Sequence, residues 1–195
     1  MLKNYGLKIK NLKSGMIEKD KYRAVSRLLE QKIVAIFDGR SEYGPRALGC
    51  RSILFDPRNE NAKEIINTVK NREWYQPFAC TIMLEHVHDY FDMKTLKESP
   101  WMSFALNCKP KAIEEVPGIV HVDNTCRVQT LTKEQNKNYY ELLEEWYRQT
   151  KCPLLLNTSF NLKGEAIVET LDDAIDTVNR SDIDTLYVPN YESRR

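Results

Sequence analysis

The apolar run Ile33-Val34-Ala35-Ile36-Phe37 passes, after a single aspartate, into Gly39 to Ser52, which reads GRSEYGPRALGCRS. An apolar run of that length bounded by turn residues reads as a short buried strand. Such a strand needs a sheet to sit in and helices to cover it, which sets the fold class as α/β. A loop that leaves a strand end is where α/β folds hold their ligands. This one carries Arg40, Arg46 and Arg51, with only Glu42 between them as a balancing acid. Packing alone explains three guanidiniums poorly. Arginine presents a planar fork of donors that matches phosphate or carboxylate oxygens two at a time. The loop is therefore read as a cradle for an anionic small molecule.

The rest of the chain alternates in the same manner. Tyr22, Val25, Leu28 and Leu29 recur at helical spacing within a helix from about Glu18 to Gln31. After the arginine loop come a strand at Ser52 to Phe55, closed by Asp56-Pro57, and a helix from roughly Asn61 through Val69 that ends in Lys70-Asn71-Arg72. Cys80 to Leu84 reads as another strand. His86 to Val116 reads as irregular structure or as an edge strand around Ser103 to Leu106. The alternation Arg127 to Leu131 predicts a strand with one exposed face. A helix is expected from about Asn138 to Thr150, then a short buried strand at Pro153 to Leu156 ending in Asn157-Thr158-Ser159-Phe160-Asn161. A last helix begins at Thr170 with a Thr cap and early acids, and Thr185 to Val188 closes as a strand. One α/β (α+β) domain with a mixed sheet accounts for this order.

A chain of 195 residues can bury a real core as one domain. Its formal charge of +1 argues against coating nucleic acid through bulk charge. The arginine loop is thus a local feature, which suits a compact ligand. No apolar run approaches the length needed to span a bilayer, and the basic start MLKNYGLKIKNLKSGM has no apolar core of a signal peptide. The cysteines at 50, 80, 108, 126 and 152 are odd in number and scattered, with no CxxC pair. Neither disulfides nor a structural zinc site is expected, and the inferred compartment is a reducing cytoplasm. Cys126 is read as a small buried hydrophobe rather than a nucleophile, and His86-x-His88 as surface histidines rather than metal ligands.

Two further pairs carry chemistry. Lys70-x-Arg72 alone reads as a solvated basic helix end. Ser159-x-Asn161 alone reads as turn chemistry, although the run from Asn157 to Asn161 is dense in hydrogen-bonding groups. Together, strand–loop–strand–helix–KxR followed much later by strand–SxN is the order of YrdC-like domains. Four segments, GRSEYGPRALGCRSILFDPR, KNREWYQPFA, HVDNTCRVQT and LLLNTSFNLKGEAIV, resemble the C-terminal domain of the nodulation and antibiotic O-carbamoyltransferases. The resemblance runs from about Lys32 to Val188.

That resemblance implies a YrdC-like twisted mixed β-sheet with flanking helices and a basic concave ligand cleft. It implies that ATP and carbamoyl phosphate are converted to carbamoyl adenylate, with Mg²⁺ on the nucleotide and no protein metal ligands. Lys70 and Arg72 match KxR, and Ser159 and Asn161 match SxN; both pairs are expected on nucleotide phosphates, with Asn157 beside them. Lys70, Arg72 and Arg46 are the expected catalytic cations. Arg40 and Arg51 are expected near the carbamoyl phosphate, and His121, Asp123 and Arg127 are expected to line the same cleft. Two positions depart from the family pattern: Gln76 stands where an arginine is frequent, and Asn124 where a glycine is common. Family enzymes also carry an N-terminal domain with an iron site that passes the carbamoyl group to a hydroxyl acceptor. The chain is read as the C-terminal domain alone, residues 1–195, with that transfer domain as a partner in cis or in trans. The alternatives are a nucleotide- or RNA-binding YrdC-like module without turnover, which the near-neutral charge disfavours, and a threonylcarbamoyl-adenylate synthase.

Overall fold

Side chains of β2 (Val34–Phe37) alternate between two hydrophobic layers, and the rest of the domain is arranged around that alternation. Ala35 belongs to one cluster with the preceding Ile33, whereas Val34 and Ile36 belong to the other. The computed structural model describes residues 16 to 190, so nearly all of the basic N-terminal stretch noted above lies outside the described residues. The other strands are β1 (Ile17–Glu18), β3 (Arg51–Phe55), β4 (Ala79–Met83), β5 (Ala105–Asn107), β6 (Thr125–Leu131), β7 (Leu154–Ser159) and β8 (Thr185–Tyr187). They form one sheet in the order β1-β8-β2-β3-β7-β4-β6-β5. The pairs β1–β8, β2–β8 and β4–β6 are parallel and the remaining neighbours are antiparallel.

Helices α1 (Lys21–Leu29) and α5 (Lys137–Thr150) cover one face, burying Ala24, Val25, Leu28, Leu142, Leu143 and Trp146. Helices α2 (Ala62–Val69), α3 (Val87–Tyr90), α4 (Pro110–Glu115) and α6 (Leu171–Asn179) contribute to the layer on the other. Local signals fix the ends. Asp20 caps α1 by accepting from the Tyr22 N–H at 2.9 Å. Thr170 and Asp173 form the reciprocal capping box of α6.

Three differences from the sequence reading have physical causes. The strand ending in Asn157 is longer than expected, because β7 keeps its pairing with β3 through Ser159. The exposed face expected for β6 is missing: Val128 to Leu131 are all buried. Polar residues that mimic a wet face there are satisfied internally, Thr130 by the Ser99 N–H at 2.7 Å and Gln129 beneath the arginine loop. The irregular middle contains short helices as well as the edge strand β5. Cys80, Cys126 and Cys152 are buried, and all five thiols are free. Burial pushes the Cys80 thiol well above its ordinary value. Among the described residues no group of three or more acidic, histidine or cysteine side chains could hold a metal ion, and no helix is long and apolar enough to cross a membrane.

Candidate active site

Antiparallel pairing brings the ends of β2 and β7 to the same edge of the sheet as the starts of β3, β4 and β6. A cavity of about 400 Å³ opens at that edge, lined by Arg46, Lys70, Arg72, Arg127, Ser159 and Asn161 among others. The structure thus brings together both sequence motifs, one arginine of the loop and the arginine of β6.

The KNR segment is delivered by the way α2 stops. Asn71 has φ +52, in the left-handed region that asparagine tolerates better than most residues. Its N–H donates to the Thr68 carbonyl at 3.0 Å, and the Arg72 N–H donates to the Asn67 carbonyl at 2.8 Å. This pair of bonds is a Schellman ending, and it turns Lys70 inward and Arg72 across the cavity. Lys70 is only 1% exposed, which excludes the solvated helix end read from the motif alone. Its Nζ donates to the Ser159 carbonyl and, at 3.0 Å, to Asn161 Oδ1, with Ser159 Oγ at 3.4 Å. Ser159 Oγ donates to the same Asn161 Oδ1 at 2.7 Å, and Asn161 Nδ2 donates to the Glu165 carbonyl at 2.8 Å. Burial, and secondarily the neighbouring Arg72, push the Lys70 pKa down to about 7. No carboxylate among the described residues pairs with it.

Arg72 and Arg46 are pressed in the same direction. Burial lowers the Arg72 pKa, and its Nη2 donates to Gln76 Oε1 at 3.0 Å while the guanidinium lies 5.5 Å from the Phe78 ring centre. Gln76, the departure from a frequent arginine, therefore holds Arg72 by accepting its hydrogen bond. Burial and then repulsion from Arg127 lower the Arg46 pKa, though arginines keep their charge at neutral pH. The one acid among the lining residues described, Glu73, is taken by Lys163 at 2.8 Å. The cavity is a concentration of positive charge with hydroxyl and amide groups at its base.

Several expected residues sit elsewhere. Arg51, predicted near the anion, is 2% exposed and is a strut inside the loop. Its guanidinium donates to the carbonyls of Asp38, Cys50, Gly39 and Glu169 at 2.8–3.2 Å and lies 3.6 Å from the Phe37 ring centre. Glu42 balances none of the arginines by direct contact with a guanidinium; its Oε1 accepts the N–H groups of Leu48 and Cys50 at 2.7 Å and of Arg51 at 3.4 Å. Arg40 is exposed and lies outside the cavity lining. His121 and Asp123 also lie outside it and build the turn that places Arg127. His121 Nε2 donates to the Phe78 carbonyl at 2.9 Å, and Asp123 Oδ1 accepts from the Thr125 N–H and hydroxyl at 3.1 and 2.7 Å. Asn124 in that turn has φ +59, which explains why glycine or asparagine is suited to it. Asn157 borders the cavity but is fully buried, and its amide points its donors inward. Gln129 and Thr81 belong to the site's construction and were not read from the sequence. The available signal was Thr81 at the middle of a strand otherwise apolar.

The family profile described as carbamoyltransferase C-terminus matches residues 25–195. The nodulation protein NolNO of Sinorhizobium fredii is 39% identical over 171 residues, covering 87% of this chain and 25% of that protein. An uncharacterized protein of Methanocaldococcus jannaschii is 42% identical over 164 residues, covering 84% of this chain and 31% of the relative. The chain thus spans about a quarter to a third of the curated relatives it matches. Among solved structures, full-length HypF in its phosphate- and nucleotide-bound form superposes with a TM-score of 0.62 at 22% identity, covering 86% of this chain and 24% of that one. Sua5 of P. abyssi complexed with L-threonine superposes with a TM-score of 0.61 at 16% identity, covering 92% and 50%. At such identities these two show the fold, which is YrdC-like. The profile match and the close relatives show more: this chain belongs to the carbamoyltransferase C-terminal family.

Proposed function

We propose that this domain binds ATP and carbamoyl phosphate in the cationic cavity and forms carbamoyl adenylate for transfer to a hydroxyl acceptor. The observation that carries the reading is Lys70, a buried ammonium with no acidic partner among the described residues, converging with Arg72, Arg46 and Arg127 on one cavity. A buried, uncompensated charge is costly to keep. Polyanionic ligands supply the missing partner. The nucleotide- and phosphate-bound state of the HypF neighbour supports the same ligand class.

In this reading Lys70, Arg72, Ser159 and Asn161 hold the nucleotide phosphates, while Arg46 and Arg127 hold the carbamoyl phosphate. Water cleaves carbamoyl phosphate to carbamate and phosphate. A carbamate oxygen then attacks the α-phosphorus of ATP, and pyrophosphate leaves with the electron pair of the broken P–O bond. Negative charge builds on phosphoryl oxygens in flight, so the protein works by positioning and by cationic stabilisation, with no protein nucleophile. Among the described residues the lining offers no acidic cluster for a resident cation, so Mg²⁺ would enter with the phosphates and neutralise part of their charge. Transfer to the acceptor falls to the region of the longer relatives that this chain does not span, consistent with an N-terminal partner domain in cis or in trans.

The test is mass-spectrometric detection of carbamoyl adenylate from the chain with ATP, Mg²⁺ and carbamoyl phosphate, beside Lys70→Ala. Product in the wild type that vanishes in the variant is the expected result. Equal product from both would refute the assignment of Lys70. Absence of product from the wild type, with and without the region that the longer relatives carry beyond this chain, would refute the reaction.

A further inference from the structure

Three neighbouring strands place one polar side chain each beneath the arginine loop: Thr81 on β4, Gln129 on β6 and Asn157 on β7. Thr81 and Gln129 are register partners, and Asn157 is paired with Ala79 on the same strand as Thr81. All three are at most 3% exposed. Their bonds link the three into one relay, with Asn157 Oδ1 left without a hydrogen-bond partner among the described residues. Thr81 Oγ1 donates to Gln129 Oε1 at 2.7 Å. Asn157 Nδ2 faces Thr81 Oγ1 at 2.8 Å, Gln129 Oε1 at 3.2 Å and the Ala47 carbonyl at 3.2 Å. Gln129 Nε2 donates to the Leu48 carbonyl at 2.9 Å. Backbone carbonyls only accept, so both amides are fixed in orientation by the groups they face.

We propose that Thr81, Gln129 and Asn157 are positioning residues for the anion site, holding the Ala47-Leu48 segment against the sheet so that Arg46 stands at a set distance from Lys70. None of them is a catalytic residue; they act through Arg46. Leu48 is gripped twice, its carbonyl by Gln129 and its N–H by Glu42 at 2.7 Å. One strand serves as the common reference for both halves of the site. Asn157 and Ser159 are two residues apart on β7 and so share a face; the first holds the loop behind Arg46 and the second receives Lys70. Packing between strands does not call for three buried polar side chains, and each would cost stability if left unpaired. What this network accomplishes is to fix two loop carbonyls next to a cation that the ligand must meet.

This inference rests on the cavity being the anion site, and two measurements on the full chain separate the two claims. The first is hydrogen exchange of the ligand-free protein. Gln129→Met, which keeps length and removes both hydrogen-bonding atoms, is expected to accelerate exchange in the segment 40–51 by about tenfold or more, with β2 and β8 unaffected. Unchanged loop exchange overturns the relay. The second is pyrophosphate affinity in a double-mutant cycle with Arg46→Ala. Gln129→Met alone is expected to weaken binding about tenfold, but less than about twofold once Arg46 is absent. Additive effects overturn the inference, since a general loss of fold would act in both backgrounds. Should Gln129→Met fail to fold, Thr81→Val removes the centre of the relay with a smaller change. A wild type that binds neither pyrophosphate nor carbamoyl phosphate overturns the anion site, while exchange still judges the relay.

Discussion

Replacing Lys70 by methionine should stabilise the empty protein while abolishing its affinity for phosphates. The magnitude follows from the site. In the folded chain the ammonium titrates at about 7, against 10.5 for an unperturbed lysine. At about 1.4 kcal/mol per pH unit, keeping the charged form buried costs on the order of 5 kcal/mol below neutral pH. Methionine fills similar space without that cost, but it forfeits the Nζ bonds to Ser159 and Asn161, each worth about 1 kcal/mol net. The expected gain at pH 7 is therefore about 3 kcal/mol, or roughly 5–10 °C in midpoint for a chain of this size. The pH dependence has a definite sign. Between about pH 7 and 10.5 the unfolded lysine binds a proton that the folded one has lost, so wild-type stability rises with pH through that window. The burial cost is complete below about pH 7 and gone above 10.5. Scanning calorimetry of both proteins from pH 6 to 10, without ligand, should show the difference shrinking as pH rises. Added pyrophosphate should stabilise the wild type and leave Lys70→Met unchanged. A variant less stable than wild type at pH 7, or a gap that does not change with pH, would show that Lys70 is already compensated in the empty site and would remove the main physical support for an anion there.

Other outcomes follow from the same geometry. Pyrophosphate binding should draw a proton onto Lys70, about 0.9 proton at pH 8 and about 0.5 at pH 7 beyond the change in the ligand's own protonation, as read by titration calorimetry in buffers of different ionisation enthalpy. Gly49→Ala should destabilise the protein by about 2 kcal/mol or more, because φ is +116° and a Cβ would lie 2.3 Å from Tyr139 Cδ1; chemical denaturation measures it, and a neutral result would refute the close approach of α5 to the loop. Arg51→Ala and Arg46→Ala should separate stability from affinity. The first should lower the thermal midpoint by several degrees, since it strips four carbonyls of their donor. The second should leave the midpoint within about a degree but weaken carbamoyl phosphate binding at least about tenfold.

The parts legible in the sequence were those with local causes. The apolar runs at Ile33 to Phe37 and Pro153 to Leu156 name strands because burial on both faces leaves no polar alternation. Thr170 and Asp173 announce α6 because a cap is a contact within one turn. Lys70, Arg72, Ser159 and Asn161 entered as candidates through the family resemblance, since alone their spacing reads as a basic helix end and a turn; the structure brings all four to one cavity. What escaped was relational. Arg51 has the same chemistry as Arg46 and lies five positions later, yet one is a strut and the other borders the cavity; only the paths of Gly39 and Glu169 decide which. Gln129 reads as solvent-facing because a polar residue on a strand usually is, and nothing near it in sequence reveals the loop overhead. Glu42 reads as a countercharge to arginines, although its oxygen is spent on three backbone N–H groups.

These corrections sharpen the electrostatic argument. With Glu42 turned to the backbone and Glu73 engaged by Lys163, the lining described leaves Lys70, Arg72, Arg46 and Arg127 without acidic partners. Such a cluster opposes folding, and here it is kept in place by neutral groups: the Ser159 carbonyl and an asparagine at Lys70, a glutamine at Arg72. Neutral acceptors orient a cation without cancelling its charge. An acid in their place would stabilise the empty protein and compete with the ligand for the same donors. Gln76 illustrates the balance, because it adds no charge of its own yet fixes the guanidinium of Arg72 at the cavity. In the proposed function, the stability sacrificed in the empty cavity is returned on binding, when the ligand's oxygens supply the countercharge that the chain withholds.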